Sequence, residues 1–312
     1  MSRIHEALKR AEQEKAAGYA GQKVEDVIQR APAVREKQPD LALPEAAPVA
    51  TATATAVQSV SQSLMAEAFL AKCPKPTWKP DPSLLVFANS DPFHPGTEQF
   101  RTLRSRLSRI RESQPLQTLL ISSAIPAEGK TLVATNLAHA LVRQQGCRVL
   151  LMDADLRAPR VHALLGAPSN PGLADYLQGQ ASEFEVIQSG HEEGFYFTPA
   201  GIHVTHPSEL ISSNRMKEFL ERVKPEFDWI IIDSSPVLPV ADATVLGGLC
   251  DGVLLVVRAS STPSETSRKA CREFQGAHIL GVVLNTADEH SEYGSYYGYG
   301  QYGLAHANKS KK

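Results

Sequence analysis

The sequence has no surplus of positive charge, no long apolar run and few cysteines, and each shortage removes a class of function. Lys and Arg number 32 against 34 Asp and Glu in 312 residues, a formal charge of −2. Nucleic-acid binders usually carry a basic excess, so no nucleic-acid partner is expected. No uninterrupted apolar stretch is long enough to cross a bilayer. The opening residues, MSRIHEALKR, are too polar for the core of a secretory signal. A cytoplasmic protein is expected, reaching the inner face of the cell membrane only through a partner. The four cysteines, Cys73, Cys147, Cys250 and Cys271, are scattered, with no CxxC pair and no ligand-like spacing. They read as reduced thiols rather than a disulfide frame.

What is present divides into four stretches. Ile4, Leu8 and Ala11 at helical spacing predict an amphipathic helix within 1–23. Residues 24–82 turn to Ala, Pro, Thr, Ser and Gln, too little apolar surface to offset ordering entropy, and are expected to be a disordered linker. From 83 to 287 the pattern is regular. Apolar runs at 116–121, 148–152, 195–198, 229–232, 253–257 and 280–284 read as strands. Helical stretches are expected at 98–112, 131–144, 208–223 and 263–274. Short runs that are apolar throughout, alternating with helices, mark a mainly parallel sheet covered on both faces, a doubly wound α/β domain. Residues 288–312 form a glycine-interrupted tail holding Tyr293, Tyr296, Tyr297, Tyr299 and Tyr302, five of the eight tyrosines in the chain. Glycine between them argues for an exposed, flexible segment.

The chemistry centres on Ala124-x-x-x-x-Gly129-Lys130-Thr131, which follows a buried strand and opens a helix. This is a Walker A phosphate loop with alanine at the first glycine position. Gly129 permits close backbone approach, and the amides of Ala127 to Leu132 at a helix start suit an anion. Lys130 would neutralise the β- and γ-phosphates of ATP, and the Thr131 hydroxyl would ligate Mg²⁺. Pro126 removes one amide donor. Two later strands end in carboxylates, Asp153-Ala154-Asp155-Leu156-Arg157 and Asp233-Ser234-Ser235-Pro236. Ligands gather at the carboxyl ends of parallel strands, so Asp153, Asp155 and Asp233 are candidate metal ligands. Capping a following helix is the alternative for any one of them.

These motifs resemble the bacterial tyrosine kinases, the CpsD/CapB-like kinases of capsule and exopolysaccharide synthesis. The Asp153–Arg157 stretch is similar to their second Walker motif. The wider ParA/MinD-like deviant-Walker superfamily carries a signature lysine where this chain has Ile125. The resemblance implies an ATP- and Mg²⁺-dependent tyrosine autokinase in which Asp153 is the base for the acceptor hydroxyl and Asp155 and Asp233 organise the metal. The tail tyrosines are the implied phosphoacceptors. Asn285 matches an asparagine that reads the adenine edge in related ATPases, and a turn asparagine explains it equally well. Glu98, Arg101 and Arg104 match an ExxRxxR oligomerisation motif, or form a solvated helix face. A ring-shaped homo-oligomer, a membrane-anchored activator from polysaccharide export and a cognate tyrosine phosphatase are the implied partners. A ParA/MinD-type positioning ATPase and an ATP-binding regulatory subunit without catalysis are the competing readings.

Overall fold

The computed structural model describes residues 67–87 and 95–287. The helix expected within 1–23 and the tail tyrosines lie outside the described residues. Seven strands form one sheet: β1 (Thr118–Ser123), β2 (Val149–Asp153), β3 (Gln188–Ser189), β4 (Phe195–Thr198), β5 (Trp229–Asp233), β6 (Gly252–Arg258) and β7 (Ile279–Asn285). Their spatial order is β3-β4-β2-β5-β1-β6-β7. Every neighbouring pair is parallel except β3 with β4. The helices are α1 (Pro95–Ser113), α2 (Lys130–Val142), α3 (Val161–Leu165), α4 (Leu173–Leu177), α5 (Glu183–Val186), α6 (Pro207–Ile211), α7 (Asn214–Val223), α8 (Asp242–Gly247) and α9 (Ser264–Glu273).

The apolar strands alternate between two cores. Leu120, Leu150, Met152, Ile230 and Ile232 face one side, and Leu119, Ile121, Leu151 and Ile231 face the other. Helices cover both faces, as the uninterrupted apolar runs predict. The doubly wound α/β architecture is the one read from sequence. Helix α2 is buried from Val133 through Val142, because the sheet lies beneath it and α1 packs across it. The single helix expected at 208–223 is two, α6 and α7, separated at Ser212–Ser213.

Register decides where the chemistry falls. Asp153 pairs with Asp233 across β2 and β5, and Ile121 pairs with Asp233 across β1 and β5. The phosphate loop leaving β1 therefore starts beside both carboxylate-bearing strand ends.

Residues 67–82, expected to belong to the linker, instead pack onto the domain. Leu70, Cys73 and Trp78 are buried, and Leu85 and Phe87 follow them. The Trp78 indole N–H donates to Gln188 Oε1 at 3.3 Å, and its ring meets Phe195 and Phe197 edge-on at 5.7 and 6.0 Å. Downstream, the buried Asn136 side chain of α2 accepts from the Val86 N–H and donates to the Leu84 carbonyl. Such isolated anchors have no helical or strand period, so composition alone reads as linker. Replacing Trp78 by Ala should lower the unfolding free energy by roughly 3 kcal/mol, read by urea denaturation. A loss below about 1 kcal/mol would mean that this strap does not hold the domain.

Candidate active site

Strand β1 is buried along its whole length and delivers the chain into the loop at Ala124, itself fully buried. A buried methyl group at this position explains why alanine serves where the usual motif has glycine. The Val237 and Leu238 N–H groups donate to the Ser123 and Ala124 carbonyls, which fixes the start of the loop. Ala127 and Gly129 both have left-handed backbone, φ 66° and 91°. Changes of backbone handedness turn successive N–H groups inward, a concavity suited to an anion. A Cβ at Gly129 would fall 2.0 Å from Asn285 Nδ2, so any larger residue would displace the Asn285 side chain as well as strain the left-handed backbone. Helix α2 begins immediately at Lys130 with its N-terminal amides beside this concavity.

Lys130 Nζ lies 2.9 Å from Asp155 Oδ2, 3.9 Å from Asp233 Oδ1 and 3.3 Å from Thr131 Oγ1. Burial works against its charge, but Asp233, Asp155 and Asp153 outweigh that and hold its pKa above the ordinary value. Asp155 Oδ1 also accepts from the Ala158 N–H at 3.1 Å. Asp153 is fully buried and accepts three backbone bonds, from Asp155 at 3.2 Å and from Arg160 and Val161 at 3.1 and 3.0 Å. It thus ties down the loop leaving β2 and the start of α3. Burial, with the charges of Asp233 and Asp155, pushes its carboxyl up to about 8. Asp233 is fully buried, and neither carboxylate oxygen has a hydrogen-bond partner. Burial, with a smaller push from Asp155, raises its pKa to about 6, against the pull of Lys130 and the Thr131 hydroxyl.

This donor set fits magnesium bound together with a nucleotide. An orphaned carboxylate, a hydroxyl and a concave ring of amides stand around one lysine. Among the described residues no three acidic, histidine or cysteine side chains converge into a metal cage. Mg²⁺ does not need one, since it keeps several waters and commonly binds through phosphates with one or two carboxylates.

The other expected site residues are distributed unevenly. Leu132 is half-buried on the first turn of α2. Asn285, at the end of β7, donates to the Glu128 carbonyl at 2.9 Å and accepts from the Thr286 N–H at 3.0 Å. Glu98 and Arg101 pair with each other on the exposed side of α1. Arg104 instead turns inward and donates to the Ala140 carbonyl at 2.8 Å. Sequence reasoning missed a polar cluster beside Asp155. Arg157 donates to the buried Asp242 at 2.8 Å and to Ser208 Oγ at 2.7 Å. Arg157 stood in the quoted motif, but Ser208 and Asp242 lie 51 and 85 residues away and share no local pattern with it.

Comparison with known proteins agrees with this geometry. Tyrosine-protein kinase YwqD of Bacillus subtilis (strain 168) is 36% identical over 217 residues, 68% of this chain and 91% of that protein. The chain belongs to the bacterial tyrosine-protein kinase family. The AAA domain family matches residues 126–265, from the phosphate loop to the start of α9. The tyrosine kinase domain of Escherichia coli ETK superposes with a TM-score of 0.58 at 32% identity, covering 63% of this chain and 79% of that one. The chimerical protein CapA2B2 gives 0.61 at 30% identity, covering 70% and 96%. Other tyrosine-kinase relatives are much longer. The chain spans 31% of EpsB of Ralstonia solanacearum and 27% of Etk of Escherichia coli (strain K12).

The unpartnered carboxylate makes a signed prediction for this tyrosine-kinase domain. A carboxyl raised from 3.8 to about 6 holds its proton more tightly in the folded state than in the unfolded one. Its stabilising contribution is complete below about pH 4 and is lost as pH rises through about 6. Asp233→Asn should therefore stabilise the ligand-free protein at pH 8 by about 3 kcal/mol, and by under about 1 kcal/mol at pH 4. Urea unfolding at the two pH values checks this, and equal shifts at both would contradict a buried carboxyl that titrates between them.

Proposed function

We propose that the protein is an ATP-dependent protein-tyrosine autokinase that transfers the γ-phosphate to Tyr293, Tyr296, Tyr297, Tyr299 and Tyr302 of its tail. The observation that carries the reading is Lys130, held between Asp155 and Asp233 at the mouth of a phosphate loop, in a chain that ends in a tyrosine cluster. Phosphoryl transfer asks for positioning and charge stabilisation more than covalent chemistry, and these groups supply both.

In this reading the amides of Ala127 to Leu132 bind the phosphate chain. Lys130 exchanges its Asp155 partner for the β- and γ-oxygens and neutralises charge as it develops. Thr131 and Asp233, with Asp155 and Asp153 nearby, would hold Mg²⁺ directly or through water. When bound, Mg²⁺ would supply charge neutralisation for the transferred phosphoryl group. Once Lys130 moves, Asp155 is the carboxylate left with a free oxygen toward the acceptor hydroxyl. Asp153, already accepting three backbone N–H groups, is better suited to hold the loop than to serve as the base its motif suggested. Asn285 would flank the nucleoside side of the loop.

Exopolysaccharide or capsule export is the process proposed for this kinase. Succinoglycan biosynthesis transport protein ExoP of Rhizobium meliloti (strain 1021) is 33% identical over 204 residues. No helix among the described residues is long and apolar enough to cross a membrane. A membrane-anchored activator of the export machinery would then hold the kinase at the inner face of the membrane. Glu98 and Arg101 on the open side of α1 would contribute to a ring of copies in which one tail meets the next active site. Each phosphotyrosine adds about −1.5 to −2 charges, which would repel the tails and loosen the ring. A cognate tyrosine phosphatase would reset it.

Incubation with Mg-ATP and the activator, read by phosphotyrosine mass spectrometry, tests the function. Wild type should label the tail, whereas Lys130→Ala and a variant with all five tail tyrosines changed to Phe should lose at least about 99% of the signal. Unlabelled wild type would sink the kinase reading. The division between the two aspartates has its own test. Asp155→Asn should lower kcat at least about 100-fold with little change in stability. Asp153→Asn should chiefly lower the unfolding free energy, by about 1–3 kcal/mol. The reverse pattern in single-turnover and urea measurements would return the base to Asp153.

A further inference from the structure

Glu128 precedes Gly129 in the phosphate loop, yet its side chain points away from the concavity and is only 2% exposed. Its Oε2 accepts the Ile125 N–H at 2.9 Å, closing the loop on itself. Its Oε1 accepts the Thr262 hydroxyl at 2.5 Å and the Arg258 N–H at 3.4 Å, from the end of β6 and the turn after it. Its carbonyl accepts Asn285 Nδ2 at 2.9 Å, from the end of β7. A further bond, from the Ala259 N–H to the Asn285 carbonyl at 2.8 Å, joins the β6 and β7 ends to each other. One buried carboxylate residue therefore binds three separate segments together. Burying that charge is costly unless each lone pair is used, and here the carboxylate accepts three donors.

Backbone conformation marks the same place independently. Among the described residues, three that are not glycine have left-handed backbone: Ala127, Ser260 and Thr286, with φ of 66°, 56° and 53°. One lies in each of the three segments that Glu128 joins. Such conformations persist where surrounding bonds over-determine them, and they collect at ligand sites.

Topology says which part of a nucleotide this corner serves. In the order β2-β5-β1-β6-β7, the catalytic carboxylates lie on one side of β1 and the Glu128 bridge on the other. With the γ-phosphate directed at Asp155 and Asp233, the ribose and base must leave toward β6 and β7.

We infer that Glu128 is a positioning residue that couples the nucleoside-side wall, Arg258–Thr262 and Asn285, to the phosphate loop, setting nucleotide affinity rather than the transfer step. The inference rests on the ATP-binding part of the reading above and not on tyrosine phosphorylation. Because the bridge contacts the loop and not the γ-phosphate side, ATP and ADP affinities should depend on it equally.

The test is equilibrium binding of ATP and of ADP to the full chain by calorimetry, beside steady-state kinetics. Glu128→Ala should raise Kd for both nucleotides about tenfold or more, with kcat at saturating ATP changed less than about threefold. Thr262→Val should raise both Kd values about threefold. The double variant should bind no more weakly than Glu128→Ala, since Thr262 acts through that carboxylate. Glu128→Gln can still accept from Ile125 and donate to Thr262, although its NH2 faces the Arg258 N–H, so it should recover part of the affinity. The inference is overturned if Glu128→Ala binds ATP within about twofold of wild type, if ADP binding alone is spared, or if the Glu128 and Thr262 losses multiply. Should Glu128→Ala fail to fold, Thr262→Val decides, and wild-type affinity in that variant overturns the inference. Failure of the kinase reading looks different: wild type would bind ATP and leave no phosphotyrosine.

Discussion

A single ammonium, Lys130, faces three buried carboxylates where β1, β2 and β5 end side by side. Surplus negative charge in a low-dielectric interior is costly, and the fold answers it differently at each residue. Asp155 takes the lysine. Asp153 takes three backbone N–H groups. Asp233 has no backbone donor and keeps only the lysine, 3.9 Å away, and the Thr131 hydroxyl beside it, while burial raises the pKa of both Asp153 and Asp233. A cation accompanied by phosphates would relieve that charge, so the ligand-free site is less stable than it could be and binding recovers the difference. Strain of this kind at a site that must bind and release is a usual exchange of stability for function.

On the other side of β1 the electrostatics are settled rather than open. Glu128 is as buried as the strand-end carboxylates, but its oxygens are all engaged. The contrast separates two uses of a buried acid in one loop neighbourhood. Where donors are provided, the charge is structural. Where they are withheld, it would be free to meet a ligand. The same accounting divides Asp153 from Asp233, although both are strand-end aspartates in register with each other.

The helix that carries Lys130 is held from outside the conventional domain. Asn136 on α2 grips the backbone at Leu84 and Val86, and Trp78 fixes the preceding strap to β4 and Gln188. The phosphate loop is thus steadied by a segment whose composition alone reads as linker. Arg104, which the motif reading sent outward to a neighbouring subunit, also serves α2 through the Ala140 carbonyl. That leaves Glu98 and Arg101 as the open part of the α1 face.

The sequence by itself determined the layered α/β architecture, because strand runs apolar at every position can be buried only between helices. It also determined the phosphate loop, since Gly129, Lys130 and Thr131 are contiguous and their roles follow from local backbone geometry. Family membership was legible for the same reason, through short contiguous motifs in a fixed order. What only the tertiary structure decided were relations between distant residues. That Asp153 holds a loop while Asp233 stands unpartnered depends on which backbone N–H groups the chain brings near each one. The Arg157–Ser208–Asp242 cluster and the Glu128–Thr262 bridge span 51 to 134 residues of sequence, and no local period announces them. A side chain's hydrogen-bond partners are set by packing across the sheet, and packing is not written in any one stretch of the chain.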